Sequence, residues 1–276
     1  MEPYYMFRQE GLYCHYLRDE DPDPADFRMH THENYEIYLF LTGKGKFRIE
    51  GSVYPLSPGD ILLMRPAEAH YFEADPGEPY ERFALNFSAS YLSALDPAGA
   101  LLLPFDARPA GWGNRYRPED FPDGTAARLA AALTEQTEDP RLRVMATLPA
   151  LLFELSRAYK GREAAGGEMP LPYRIVRYVE AHVTEDLSLD AIASRFYISK
   201  AQLCRLFKAA SGSTVWEYVT VKRLLRAREA IRFGTPPAVA AGQAGWNDYS
   251  AFYRAYKKVF GAAPRAKETA VRRIEL

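Results

Sequence analysis

The sequence predicts an α+β protein: an N-terminal antiparallel β-barrel of jelly-roll type, a helical connector, and an all-α C-terminal domain with two helix-turn-helix motifs. Three observations predict it. Short apolar runs alternate with turn residues between Glu36 and Phe87, two helix-turn-helix patterns stand in tandem in the last third, and the charge is segregated. Residues 171–276 hold 18 Lys plus Arg against 9 Asp plus Glu, whereas residues 1–170 hold 17 against 27. The formal net charge of −1 thus hides a basic module, suited to nucleic acid, behind an acidic partner. A chain of 276 residues has room for two domains and a connector, divided here as 1–124, 125–160, a linker at 161–172, and 173–276.

The barrel comes first. Its strands are read at Glu36–Thr42, Lys46–Glu50, Ser52–Leu56, Ile61–Met64, His70–Glu73 and Tyr80–Phe87, punctuated by Gly43, Gly45, Gly51, Pro55, Pro58-Gly59 and Pro76-Gly77. Many short strands at this cadence suit a barrel or jelly roll. Within it lies His30-Thr31-His32-Glu33-Asn34-Tyr35-Glu36, where His30 and His32 share a face because strand side chains alternate with period two. Together with Glu36 and the later His70 they admit three uses: ligands of Zn, Fe, Mn or Ni, polar lining of a pocket for an organic effector, or hydrogen bonds within the barrel. Tyr38, Arg65 and Arg82 are further candidates for effector binding, with Phe40, Met64 and Tyr71, although their direction depends on strand register. Plain core or surface packing is the alternative for each.

The connector reads as two helices, Thr125–Gln136 and Leu148–Tyr159. Met145, Leu148, Leu152, Leu155 and Tyr159 fall at spacings of three and four, which suits either a subunit-pairing helix or one docked on its own barrel. Pro149 is tolerable only in a first turn, so the second helix is expected to begin near Thr147. Gly161 to Pro172, with Gly166-Gly167, reads as a flexible linker.

In the C-terminal domain the first helix-turn-helix spans Leu187–Lys208, with Ser188 and Ser199 as N-caps. Leu189, Ile192 and Ala193 form the inner face of its first helix; Leu203, Leu206 and Phe207 form that of the second. This leaves Ala201, Cys204, Arg205 and Lys208 facing out, as a recognition helix requires, with Arg205 able to bond guanine O6 and N7 together. The second unit, Ala240–Gly261, turns Phe252, Ala255, Tyr256 and Val259 inward and Ser250, Tyr253, Arg254 and Lys257 outward. Lys200 and Tyr249 complete the two sets of candidate DNA contacts. Between the units, Ser213 to Gly234 reads as one helix with Ser213 as N-cap and Gly234 as C-terminal stop. At 1.5 Å per residue it spans roughly 30 Å, near the ~34 Å between successive major-groove faces.

At these residues the chain resembles the AraC family of transcription regulators. The family's double signature maps onto Ile192-Ala193, Ser199, Leu203, Arg205, Phe207-Lys208, Gly212, Arg223-Leu224 and Ala227, then Gly245-Trp246, Phe252, Arg254, Tyr256-Lys257 and Gly261 with Pro264. The chain departs from it at Pro237, Ala240 and Ala241, where the family has large aliphatics, so the second unit is expected to pack and bind more weakly. His30, His32, Glu36 and His70 look like the two cupin motifs, without the glycine upstream of the first His, the glycine before the last His, or the Asn after it. The resemblance implies a one-component regulator: a cupin-like barrel binds a small effector, a carbohydrate by similarity to sugar-responsive members, and the recognition helices read double-stranded DNA.

It also implies a homodimer, with RNA polymerase as partner if the regulator activates. No resident cofactor or metal is expected. A cupin enzyme fused to a DNA module is the rival from another class, and a barrel that only dimerises or binds a protein is the third reading. The N-terminus has no basic start and apolar core of a signal peptide, and no run approaches 18 apolar residues, so a cytoplasmic protein without membrane contact is expected. Cys14 and Cys204 are too few for a disulfide framework. Cys204, facing DNA, is either redox-active or simply a small tolerated residue. No phosphate-cradling loop, nucleophile elbow or paired-cysteine motif points to catalysis.

Overall fold

The computed structural model describes residues 2–9, 11–23, 26–27, 30–50, 52–135, 138–164, 169–264 and 274–275. Strands β1 (Glu2–Gln9), β2 (Leu12–Asp19), β3 (His30–Thr31), β4 (Tyr35–Thr42), β5 (Gly45–Ile49), β6 (Ser52–Pro55), β7 (Ile61–Met64), β8 (His70–Ala74), β9 (Tyr80–Phe87), β10 (Arg115–Tyr116) and β11 (Ile274–Glu275) form two antiparallel sheets. Their orders are β1-β2-β9-β4-β7-β10 and β11-β3-β8-β5-β6. No hydrogen-bonded pair joins the sheets among the described residues, so they face each other without closing into the predicted barrel. The six strands read from the sequence are present. The β1–β2 hairpin was not read: it turns at Gly11, which adopts φ +71°, and adds an edge to the first sheet. Gly51 lies outside the described residues.

Strand β4 is buried along nearly its whole length, and its neighbours show why. Tyr35, Ile37 and Leu39 join one core with Leu148, Leu152 and Leu155, while Tyr38 and Phe40 join another with Phe47 and Phe72 of the second sheet. Burial on both faces removes the polar half of the usual alternation. The same register turns Glu36 toward His70 of β8 across the inter-sheet space. On β9, Arg82 shares the inner face with Tyr80 and Ala84, while Phe83, Leu85 and Phe87 face the helices.

Helices α1 (Ala89–Leu92), α2 (Leu103–Asp106), α3 (Thr125–Thr134) and α4 (Pro140–Ala164) follow, α3 and α4 covering the outer face of the first sheet. Two expectations are corrected here. Helix α4 begins at Pro140, not near Thr147, and holds Pro149 in its interior. The stripe of Leu148, Leu152, Leu155 and Tyr159 is buried against this chain's own sheet, with Met145 packed beside it, so it does not supply a pairing surface. Beyond the end of α3, Gln136 lies outside the described residues.

The C-terminal domain contains α5 (Leu171–Ala181), α6 (Leu189–Arg195), α7 (Lys200–Ser211), α8 (Val215–Arg232), α9 (Pro237–Gln243) and α10 (Tyr249–Phe260). Residues 161–164 belong to α4 and 171–172 to α5, so the connecting segment is shorter than the expected linker; Gly166-Gly167 lie outside the described residues. Two cores form, one joining α5 to α7 and the start of α8, the other joining the end of α8 to α9 and α10. Helix α8 is therefore shared by both units. Its N-cap is Thr214, one residue beyond the expected Ser213, in a capping box with Glu217.

The two domains touch along α8 and α5. Lys222 of α8 is buried with its Nζ 3.1 Å from a Glu50 carboxylate oxygen, and it also donates to the Ala67 carbonyl. Arg228 lies 3.6 Å from Glu33, and Arg232 donates to the other oxygen of the same carboxylate. Arg65 donates to Glu180 of α5 and to the carbonyls of Asp106 and Arg108. Ser52 donates to the Tyr173 hydroxyl at 2.8 Å.

Candidate effector cavity and DNA-facing helices

The capping hydroxyls fix the first helix-turn-helix. Ser188 accepts the Ala191 N–H at 3.1 Å and Ser199 the Gln202 N–H at 3.2 Å, satisfying donors that a helix start leaves unpaired. Between the helices Tyr197 adopts φ +57°, an uncommon left-handed conformation for a residue with a side chain, and its ring is exposed. Leu203 and Phe207 are buried, which leaves Lys200, Ala201, Cys204, Arg205 and Lys208 exposed along α7. Lys200 pairs with Asp190 at 3.1 Å on the preceding helix.

On α10, Phe252 and Tyr256 are buried and Tyr249, Ser250, Tyr253, Arg254 and Lys257 are exposed. Asp248 caps this helix by accepting the Ser250 N–H. Gly245 holds the turn: at φ +89°, a Cβ there would stand 2.6 Å from the Thr184 carbonyl oxygen. Both outward faces are those read from the sequence.

Between the two sheets opens a cavity of about 760 Å³. His30, His32, Glu36, Tyr38, His70 and Arg82 all line it. Arg65 does not; it is held at the domain boundary by Glu180, which corrects its expected place in the effector site. Phe40 and Met64 are core, and Tyr71 also lies off the cavity wall. Sequence reasoning missed the contribution of the first hairpin, whose Arg8, Tyr13 and His15 line the same space, and that of Arg232, which reaches it from α8.

At the centre, His32 Nε2 lies 2.6 Å and His70 Nε2 3.2 Å from one oxygen of Glu36. Each ring is oriented from behind: His32 Nδ1 contacts the Asn34 carbonyl at 2.8 Å and His70 Nδ1 the Glu68 carbonyl at 2.7 Å. A carbonyl only accepts, so both Nδ1 atoms carry hydrogen, and each Nε2 donates to the carboxylate when it carries a second one. Burial disfavours the charged form of Glu36, but the hydrogen bonds from His32 and His70 outweigh it and hold the carboxyl well below the usual range. The ring of His30 lies tilted against that of His70, with centroids 4.5 Å apart.

His32, Glu36 and His70 offer three ligand atoms within 4.8 Å of one another, the set able to hold a metal. The separation of 2.6 Å between His32 and Glu36 is nonetheless that of a hydrogen bond. Two ligands about 2.0–2.1 Å from a tetrahedral metal would stand roughly 3.3 Å apart.

The chain matches the AraC-like ligand binding domain over residues 13–176 and a helix-turn-helix domain over residues 192–269. This chain belongs to the AraC family. It is a transcription regulator with a ligand-binding domain and a helix-turn-helix DNA-binding domain. It is 24% identical over 248 residues to the HTH-type transcriptional activator RhaS of Escherichia fergusonii, covering 87% of this chain and 86% of that one. It is 26% identical over 239 residues to the probable transcriptional regulator LumQ of Photobacterium leiognathi, covering 85% and 89%. Among solved structures, ToxT from Vibrio cholerae matches with a TM-score of 0.39 and 13% identity over 92% of this chain and 96% of that one. Among the described residues, no helix is long and apolar enough to cross a membrane.

Proposed function

We propose that this regulator reads two adjacent major-groove faces of one duplex through α7 and α10, and that the inter-sheet cavity binds the effector that controls it. The pair of exposed polar and basic faces joined by one shared helix carries the reading. Helix α8 has 18 residues, roughly 27 Å at 1.5 Å per residue, against ~34 Å between groove faces. Lys200, Ala201, Cys204, Arg205 and Lys208 meet the first face; Tyr249, Ser250, Tyr253, Arg254 and Lys257 meet the second.

His30, His32, Glu36, Tyr38, His70 and Arg82 contact the effector, a carbohydrate or carbohydrate derivative, and no metal is needed for this role. Regulation rather than catalysis is the use of the fold, in the cytoplasm and as a homodimer, with RNA polymerase a partner if it activates. Arg205→Ala tests the core of the reading. It should cost about 1 to 3 kcal/mol at a cognate half-site and relax preference at one base pair, because a bidentate guanine contact is lost. Lys208→Ala should weaken all sequences alike and flatten the dependence on salt. Binding measured across a randomised half-site library distinguishes the two, and unchanged affinity and preference in Arg205→Ala would sink the assignment of α7.

A further inference from the structure

Residues 1–170 are acidic, with 27 Asp plus Glu against 17 Lys plus Arg, yet the cavity they enclose has the opposite sign. Among its described lining residues stand Arg8, Arg82, Arg232 and four histidines, with Glu36 as the sole carboxylate. Glu36 is already committed to His32 and His70. Arg232 is committed to Glu33, and Arg8 lies out over the Tyr13 ring.

Arg82 is different. It projects from β9 into the cavity, partly buried, and no carboxylate lies within ion-pair distance of it among the described residues. Its nearest partner is His15, whose Nε2 lies 2.5 Å from Nη1. A guanidinium has hydrogens only to give, so that nitrogen accepts and brings no negative charge. Its other neighbours are two tyrosines and a more distant charge: it hydrogen-bonds the neutral Tyr80 hydroxyl, Glu36 acts on it only through space, and the guanidinium carbon sits 5.6 Å from the centroid of Tyr38. Tyr38 is 3% exposed, and its hydroxyl has no hydrogen-bond partner. A cation withdrawn from water without a counter-charge is costly, as is a buried hydroxyl without a partner. One bound anion would relieve both.

We infer that the effector is a small organic anion bearing hydroxyl groups, a sugar acid or a sugar phosphate, whose charged group is held by Arg82 with the Tyr38 hydroxyl beside it. The planar fork of Arg82 suits both carboxylate and phosphate oxygens. Phe47 and Phe72 supply ring surface, and the polar cluster of His32, Glu36 and His70 faces the hydroxyl-bearing part. The inference rests on the cavity being the effector site, and it narrows the effector from any carbohydrate to a charged one.

The test uses the full chain and two readouts. The first needs no knowledge of the ligand. Inorganic phosphate should raise the Tm of the wild-type chain above that in chloride of equal ionic strength, and this excess should vanish in Arg82→Met. Arg82→Met without ligand should melt no lower than wild type, since it removes an uncompensated charge. An Arg82→Met chain that melts lower, or that keeps the phosphate effect, overturns the inference. The second readout is calorimetric titration with glucuronate, galacturonate, gluconate and glucose 6-phosphate, each beside its neutral counterpart glucose, galactose or sorbitol. At least one anion should bind tenfold or more tighter than its counterpart, and Arg82→Met should lose that advantage while Arg48→Met, whose side chain pairs with Glu73 off the cavity wall, keeps it. Equal binding of neutral and charged members, or no binding by any anion, overturns it. Neutral sugars that bind and alter DNA affinity would leave the cavity as the effector site while removing the anion; compounds that bind without any effect on DNA would remove the effector reading itself.

Discussion

Glu68 shows how much one buried residue can hold in place. It is fully buried, with one carboxylate oxygen 2.7 Å from Arg108 Nη1 and the other 2.8 Å from Nη2, and it accepts the Gly111 N–H at 2.7 Å. Arg108 in turn donates to the carbonyls of Leu63, Pro104 and Pro109, so this pair ties β7 to the segment after α2. Burial raises the carboxyl pKa of Glu68, but the charge and hydrogen bonds of Arg108 prevail and hold it far below its ordinary value. A carboxyl depressed on folding stabilises the native state above its unfolded value and loses that contribution as pH falls through the folded one. Stability should therefore be level above the ordinary glutamate pKa of ~4.3 and fall steadily below it. Glu68→Gln should cost about 3 to 5 kcal/mol at neutral pH by leaving Arg108 buried and unpaired, and it should flatten that acid limb. Urea titrations at several pH values measure both. An acid limb unchanged in Glu68→Gln would assign it to other carboxylates, Glu36 first.

At the scale of elements, the legible parts were those with strong local chemistry. Alternation and turn residues located six strands of the sheet pair, and Ser188 and Ser199 placed the ends of α6 and α7 because each hydroxyl has one evident use. Thr214-x-x-Glu217 was equally visible as a capping box, yet the adjacent Ser213 offered the same chemistry one residue earlier. A proline removes an N–H and so predicts a start for α4 near Thr147, whereas packing against the first sheet sustains the helix through Pro149. Direction inside the cavity depended on register, which no local signal fixes: Arg82 and Tyr38 fell inward, and Arg65 fell at the domain boundary. The same dependence on packing separates the two DNA-reading units. Helix α9 is seven residues long, starts at Pro237 and buries mainly Ala240 and Ala241, so it braces α10 with little apolar surface. Arg254→Ala should accordingly reduce operator affinity less than Arg205→Ala. Parallel titrations of the two variants on one operator check this; an equal or greater loss for Arg254→Ala would show that α9 supports its partner fully despite its small side chains.

For the whole molecule, the informative geometry is where the cavity meets the DNA-binding domain. Glu33 follows His32 directly in the chain, and its carboxylate is met by Arg228 and Arg232 of α8. The same α8 contributes Lys222 to Glu50 and carries core residues of both helix-turn-helix units. A ligand that moves His32 or competes for Arg232 thus acts on the helix that sets the spacing of the two recognition faces. It can do so only by its different affinity for the two arrangements. Coupling of this kind is typically about 1 to 3 kcal/mol, a change of roughly 5- to 150-fold in affinity. Glu33→Ala removes the contact without altering any exposed residue of α7 or α10. It should leave base preference intact while shrinking the fold-change in operator affinity produced by a cavity ligand. The measurement is operator binding by wild type and Glu33→Ala, each with and without a compound shown by calorimetry to bind both. If the variant responds to that compound as strongly as wild type, the signal does not pass through Glu33, and the contact between Lys222 and Glu50 becomes the remaining route between cavity and DNA.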